Sequence, residues 1–150
     1  MVVRHIMDWE TKPMGFTASL QPMHSSEPVG EEADIDGSFF DLTESLNVLG
    51  LDGECIVTGN VLLATGDDEA EEESAYVWSG MLDAEEVQRN WQQLQGVTLE
   101  RLMAAFRETP NGKSTNDQGN DEYLKFHFVA LKDVYRRAAD ARAAMSFLVC

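Results

Sequence analysis

Carboxylates occupy six of seven consecutive positions, Asp67, Asp68, Glu69, Glu71, Glu72 and Glu73, and a second group, Glu31, Glu32, Asp34 and Asp36, lies upstream of them. Both belong to a larger block. Between Lys12 and Arg89 the chain has no lysine or arginine, yet eighteen Asp and Glu residues run from Glu27 to Glu86. The flanks nearly cancel, with two bases and two acids in residues 1–12 and nine bases and seven acids in residues 89–150. The net charge of −16 therefore resides in the middle of the chain. At this density carboxylates act through their field: they attract a basic partner at long range and repel nucleic acid and anionic membranes. Affinity needs apolar anchors within such a field, and Phe39, Phe40, Tyr76 and Trp78 are the aromatic side chains nearest to it. For Phe39 and Phe40 the plainer role is core packing.

Other residue types that could do chemistry lack the spacing for it. Paired carboxylates can hydrolyse bonds, but abundance is not a constellation. Ser79 stands in Trp78-Ser79-Gly80, without the preceding glycine that makes a nucleophile elbow. No phosphate-cradling glycine loop is present, and Gly50, Gly53, Gly59 and Gly66 read as turn punctuation. His5, His24 and His127 have no His or Cys partner at ligand spacing. Asp34, Asp36 and Gly37 have the beginning of a calcium loop, but the position that should carry its closing glutamate is Thr43, with Glu44 one residue late. Cys55 and Cys150 stand apart from any metal or redox motif, which fits a reducing compartment, and Cys55 reads as a core residue. No catalytic residue, metal or cofactor follows from these patterns, so the chain reads as non-enzymatic.

The elements that must carry the acids are readable in part. Phe16, Ala18 and Leu20 alternate with polar residues as in a half-buried strand, which Pro22 should end, and Ser25 to Gly37 reads as an exposed acidic loop. Ser38 and Asp41 suggest a helix start, with Leu42, Leu46 and Leu49 on one stripe and Gly50 as its stop. The β-branched run from Glu54 to Ala64 and the segment Ala75 to Leu82 suggest a hairpin with the 67–73 acids at its tip. Asp83 should cap a helix to about Gln95, with Val87, Trp91 and Leu94 packing inward. Thr98 should cap a second one, stopped by Pro110. Residues 110–122 carry no apolar side chain and read as a loop. Leu124, Phe126 and Phe128 alternate as in a strand, with His127 on its polar face, followed by a helix from about Asp133 to Met145; one long helix from Glu122 is the competing reading. Arg136, Arg137 and Arg142 form the densest basic cluster, best explained as a solvated helix face paired with acids of the same chain.

The whole predicts a single compact α+β domain over residues 1–150, acidic and strand-rich over 13–88, near-neutral and helix-rich over 89–150. Its sheet should be mainly antiparallel, of three to five strands, with helices on one face and concentrated in the C-terminal half. No apolar run approaches the roughly 18 residues of a membrane span, and Arg4 and His5 interrupt any signal-peptide core, so the expected place is the cytoplasm. Eighteen carboxylates match the charge of about nine base pairs, roughly 30 Å of duplex, which is comparable with the dimension of a globule of this length. The leading expectation is an acidic inhibitor that fills the basic groove of a nucleic-acid-handling protein. By analogy of charge, phage-encoded blockers of bacterial defence and immunity proteins for nuclease toxins are of this kind. Direct contact with nucleic acid or membrane is not expected. The alternative is a self-associating virion or assembly component, its acidic half meeting the Arg136–Arg142 side of the next copy.

Overall fold

The structure, a computed structural model, describes residues 16–60, 78–114 and 118–150. The proposed hairpin tip, Asp67 to Glu73, and Tyr76 lie outside the described residues. In chain order the elements are β1 (Ala18–His24), β2 (Glu27–Pro28), β3 (Ala33–Asp36), α1 (Phe39–Val48), α2 (Gly53–Thr58), β4 (Trp78–Leu82), α3 (Ala84–Leu94), α4 (Leu99–Phe106), α5 (Pro110–Ser114), α6 (Gln118–Asp140) and β5 (Ala144–Val149). The fold class is α+β, with a five-stranded, wholly antiparallel sheet. β5 lies between β1 and β4, while β2 and β3 pair in succession along the other side of β1.

Alternation decides which face of the sheet is covered. Ala18 and Leu20 of β1, Ala33 and Ile35 of β3, Met145, Phe147 and Val149 of β5, and Trp78 and Leu82 of β4 all point into one core. The opposite face carries Ser19, Gln21, Ser79, Met81, Ser146 and Leu148, each at least partly exposed. Every described helix except α5, which buries only Gly112, contributes an apolar side to the first face or to another helix. The largest wholly buried side chains are Tyr135, Phe39, Phe106, Phe128 and Phe147.

Local signals set the helix ends. Asp83 Oδ1 accepts from the Glu86 amide at 2.8 Å while Glu86 Oε1 accepts from the Asp83 amide at 2.8 Å, a complete capping box for α3. Thr98 Oγ1 accepts from the Arg101 amide at 3.1 Å and starts α4. Within α3, Val87 and Leu94 are fully buried, whereas Trp91 is only half-buried against the core. Cys55 is likewise half-buried.

Several expectations fail, each for a physical reason. Pro22 does not end β1. Its carbonyl accepts from Val29 at 2.9 Å, so its missing N–H faces the side where the ladder passes from β3 to β2, and pairing with β5 continues at Pro22–Met145. The segment read as an acidic loop contains β2 and β3, because Ala33 and Ile35 are enough to bury one side of a four-residue strand. Glu54 to Thr58 is helical despite its β-branched residues: Asp52 caps it by accepting from Cys55 at 3.2 Å, and Gly59 closes it. At its first residue a Cβ on Gly53 would lie 2.3 Å from the Thr43 carbonyl oxygen, so this glycine lets α2 meet α1.

Pro110 starts α5 rather than stopping α4, which ends on its own at Phe106. Residues 122–131 are not a strand but part of the 23-residue helix α6. Leu124 and Phe128 are four apart and buried, while Phe126 between them is 69% exposed, a pattern that only the helical period satisfies. His127 is consequently buried at 7% exposure, not on a polar strand face. α6 ends at Asp140, Arg142 turns the chain in the left-handed region at φ 54°, and the residues assigned by propensity to the end of a helix become part of the central strand β5.

Candidate functional site

The upstream acids of the block, Glu27 to Asp36, sit at one edge of the sheet, while Asp41, Glu44, Asp52, Glu54, Asp83, Glu85 and Glu86 lie on or cap helices. β1 and β2 form a hairpin in which His24 faces Glu27, and β3 then returns along β1 with Ser19 opposite Asp34 and Leu20 opposite Ala33. Because Ala33 and Ile35 point inward, Asp34 must point out. Glu27, Glu31, Glu32 and Asp34 are all exposed. Among the described residues no ion pair involves any of the four.

The turn that carries Glu31 and Glu32 is held from both sides. Gly30 takes φ +73°, and a Cβ there would lie 3.1 Å from Arg137 Nη1. Gln21 Nε2 donates to the Gly30 carbonyl at 3.1 Å, and Arg137 Nη1 donates to the Glu31 carbonyl at 3.0 Å. Arg137 is itself oriented by Asp133, whose Oδ2 accepts from Nε at 2.8 Å. Hydrogen bonds from Arg137 and then Arg136 hold the Asp133 carboxyl below the usual aspartate range. A helix-borne arginine thus fixes the backbone beneath two glutamates and leaves their carboxylates in water.

Asp36 has a different role from its neighbours. It turns in the left-handed region at φ 53°, its amide donates to Asp34 Oδ1 at 2.9 Å, and its own Oδ2 accepts from the Tyr123 hydroxyl at 2.7 Å. The Gly37 amide donates to the same hydroxyl at 3.2 Å. Burial, together with the Asp36 carboxylate, pushes the Tyr123 phenol up to about 12. The Asp34–Asp36–Gly37 turn is therefore closed by its own amide and by α6, and Asp36 is a positioning residue more than a contact for a partner. Tyr123 was not singled out by sequence, since nothing local marks a tyrosine in α6 as the partner of a turn in β3.

Three of the four expected apolar anchors are not on this surface, and the fourth, Tyr76, lies outside the described residues. Phe39 and Phe40 are buried at 0% and 2% exposure and stack on each other, with centroids 4.4 Å apart. Trp78, at 4%, meets Phe16 edge-on at 5.3 Å. All three are core residues, so as contacts for a partner they are withdrawn.

The basic residues are largely engaged at home. Arg136 pairs with Asp133 at 2.7 Å and Asp140 at 3.5 Å, Lys125 with Glu122 at 3.7 Å, and Arg107 with Asp121. Lys132 donates to the Val97 carbonyl at 2.8 Å. The reading of the arginine cluster as a helix face paired within the chain holds for Arg136 and Arg137.

The remaining polar clusters are structural in geometry. Tyr135 donates to the Ile56 carbonyl at 2.7 Å, with Asn90 Nδ2 at 3.3 Å from its oxygen and 3.4 Å from Cys55 Sγ. Burial raises both the Tyr135 phenol and the Cys55 thiol, so Cys55 is held as a thiol and is a poor nucleophile. Among the described residues no three His, Cys, Asp or Glu side chains converge as a metal site. A cleft of about 230 Å³ between α4 and α6 is lined by Leu99, Met103, Glu100, Arg107, Asp121 and Lys125, two acids and two bases that favour neither sign of ligand. No described helix is long and apolar enough to cross a membrane.

No protein-family model and no curated protein sequence matches the chain. Its backbone is similar to the crystal structure of a protein of unknown function, YfbM from Escherichia coli, with a TM-score of 0.57 over 89% of this chain and 99% of that one. At 13% identity the likeness is one of fold.

Proposed function

We propose that this chain is a non-enzymatic acidic inhibitor or antagonist whose β2–β3 edge, with the acids of residues 67–73, binds the basic groove of a nucleic-acid-handling protein in the cytoplasm. One observation carries the reading. Glu27, Glu31, Glu32 and Asp34 are exposed and enter no ion pair among the described residues, whereas four of the cations in the C-terminal half are paired with acids of this chain. A surface that keeps one sign of charge unneutralised is suited to a partner of the other sign. The rigid backbone under Glu31 supports it further, because side chains on an ordered edge lose less entropy on binding than those on a loop.

The alternative, head-to-tail assembly of the acidic part of one copy on the Arg136–Arg142 side of the next, is less favoured by the same observation. Arg136 and Arg137 would have to exchange Asp133 and Asp140 for a carboxylate of another copy, with little net gain at exposed positions.

The test is capture of partners from host-cell lysate by the immobilised chain at low and moderate salt, with identification by mass spectrometry. A single nucleic-acid-processing protein, released by salt and lost when Glu27, Glu31, Glu32 and Asp34 are neutralised together, is the expected result. Capture that survives both neutralisation and salt would refute the electrostatic reading.

A further inference from the structure

The outer side of α6 is apolar at its centre and charged at its ends, in an order that is self-complementary. Phe126 is 69% exposed and Val129 53%, three residues apart on the side of the helix that faces away from the sheet. Phe126 and Val129 are adjacent on one turn, so they form a small contiguous apolar patch rather than singly scattered side chains. Around them lie Glu122, Lys125, Asp133 and Arg136, with side chains 63%, 40%, 47% and 51% exposed.

Their positions matter more than their number. Glu122 and Arg136 stand at equal distances on either side of Val129, and so do Lys125 and Asp133. When two copies of one helix pack antiparallel about a two-fold axis at Val129, each residue meets the one equally far beyond the axis. Glu122 then faces the partner's Arg136, and Lys125 faces the partner's Asp133; the ion pairs Glu122–Lys125 and Asp133–Arg136 stay within each copy, so the crossings set orientation and register and contribute little affinity. Both of these charged crossings join opposite charges, and each is made twice. Val129 meets its own symmetry mate, and Phe126 lies over the aliphatic stem of the partner's Lys132, a lysine whose ammonium donates to the Val97 carbonyl of its own copy. Antiparallel macrodipoles add a small favourable contribution. A parallel pairing would set each charge against its like.

We propose that the Phe126–Val129 face of α6 is a two-fold docking surface for a second copy of this chain. The occupant is argued from charge: the side chains of Glu122, Lys125, Asp133 and Arg136 sum to zero and are arranged to complement their own symmetry mates, whereas the protein as a whole carries −16, so two copies repel at long range. Glu122 and Arg136 are fourteen positions apart, about 21 Å of helix, and at a helix width of about 10 Å the seam covers about 210 Å² per copy, well below the roughly 800 Å² per partner of a standard interface. The dimer is accordingly weak. Screening of the overall charge makes it tighter as salt rises from about 0.05 to about 0.5 M. Head-to-tail assembly of an acidic on a basic surface has the opposite salt dependence.

Sedimentation equilibrium of the full chain over a wide concentration range tests this. The expected result is a monomer–dimer equilibrium strengthened by salt and weakened at least about tenfold by Phe126→Glu, which should leave the melting curve in place. Two further variants make the result independent of that folding control. Glu122→Arg alone and Arg136→Glu alone should each be monomeric, since each places like charges together at both crossings. Mixed in equal amounts they should form a heterodimer, in which every crossing again joins opposite charges. A mass fixed at the monomer's 16.7 kDa at all concentrations and both salts overturns the proposal. So does association that weakens with salt, or a mixture of the two charge variants that stays monomeric. None of these outcomes bears on the capture experiment, which concerns a different edge of the molecule.

Discussion

Replacing Arg137 by methionine separates charge from order at the acidic edge. The side chain is 30% exposed and makes two connections, Nη1 to the Glu31 carbonyl at 3.0 Å and Nε to Asp133 at 2.8 Å. A hydrogen bond from a charged group contributes about 1.5–3 kcal/mol when shielded. An exposed ion pair contributes about 0.3–0.5 kcal/mol. With partial exposure the loss should be about 1–2 kcal/mol, because methionine keeps the aliphatic packing and removes both bonds. The melting temperature of a chain this size should fall by about 2–8 °C. The amides of residues 31–36 should exchange with solvent roughly tenfold faster, since 1.4 kcal/mol is a factor of ten in the opening equilibrium. The substitution also makes the protein one unit more negative. If attraction depended on charge alone, a basic partner would bind more tightly. If the ordered backbone under Glu31 matters, it should bind more weakly. Unchanged exchange at residues 31–36 with an unshifted melting curve would refute the account of Arg137 as the clamp of this edge, and tighter binding would refute the role given to order.

The combined replacement Glu27→Gln, Glu31→Gln, Glu32→Gln and Asp34→Asn should leave the melting curve nearly unmoved, because exposed single charges contribute little to stability. The salt needed to elute a captured partner should fall markedly, as pull-down at graded salt will read. Tyr123→Phe removes the donor to Asp36 and the acceptor of the Gly37 amide and should cost about 1–2 kcal/mol in urea unfolding. The phenol titrates at about 12 when folded, above its ordinary 10, so folding favours the protonated form. That contribution is complete below the unfolded value and is lost as pH rises through about 12, so stability should fall more steeply over this alkaline range in the wild type than in Tyr123→Phe. Phe147→Ala, at a wholly buried site in the central strand, should cost about 3–5 kcal/mol, whereas Trp91→Ala should cost less because Trp91 keeps contact with water. Equal losses at the two sites would contradict the burial difference.

What the sequence alone determined is what nearest neighbours decide. Asp83 with Glu86, Thr98, and Gly50 after the Leu42–Leu46 stripe mark helix ends through bonds or backbone angles within a few residues, and those helices are where they were expected. The α+β class and the one-sided sheet follow from alternation in β1 and helical stripes farther on. The charge block is a property of composition and needs no fold to be seen.

Tertiary structure decided the rest, because the deciding contacts lie far apart in sequence. Five residues such as 124–128 suit period two or period 3.6 until a core selects one, and here the sheet and α3 select the helix that buries Leu124 and Phe128 and exposes Phe126. Residues 144–149 have strong helical neighbours, but Phe147 and Val149 gain a place between β1 and β4 only as a strand, through pairing with residues some 130 and 70 positions away. The same holds for the acidic edge. That Glu31, Glu32 and Asp34 are exposed could be read from their charge; that Asp36 is tied to Tyr123, that Arg137 orders the turn, and that Phe39, Phe40 and Trp78 serve the core could not. Long-range contacts leave no local pattern, and it is the burial of apolar surface that chooses among conformations which local energies leave nearly equal.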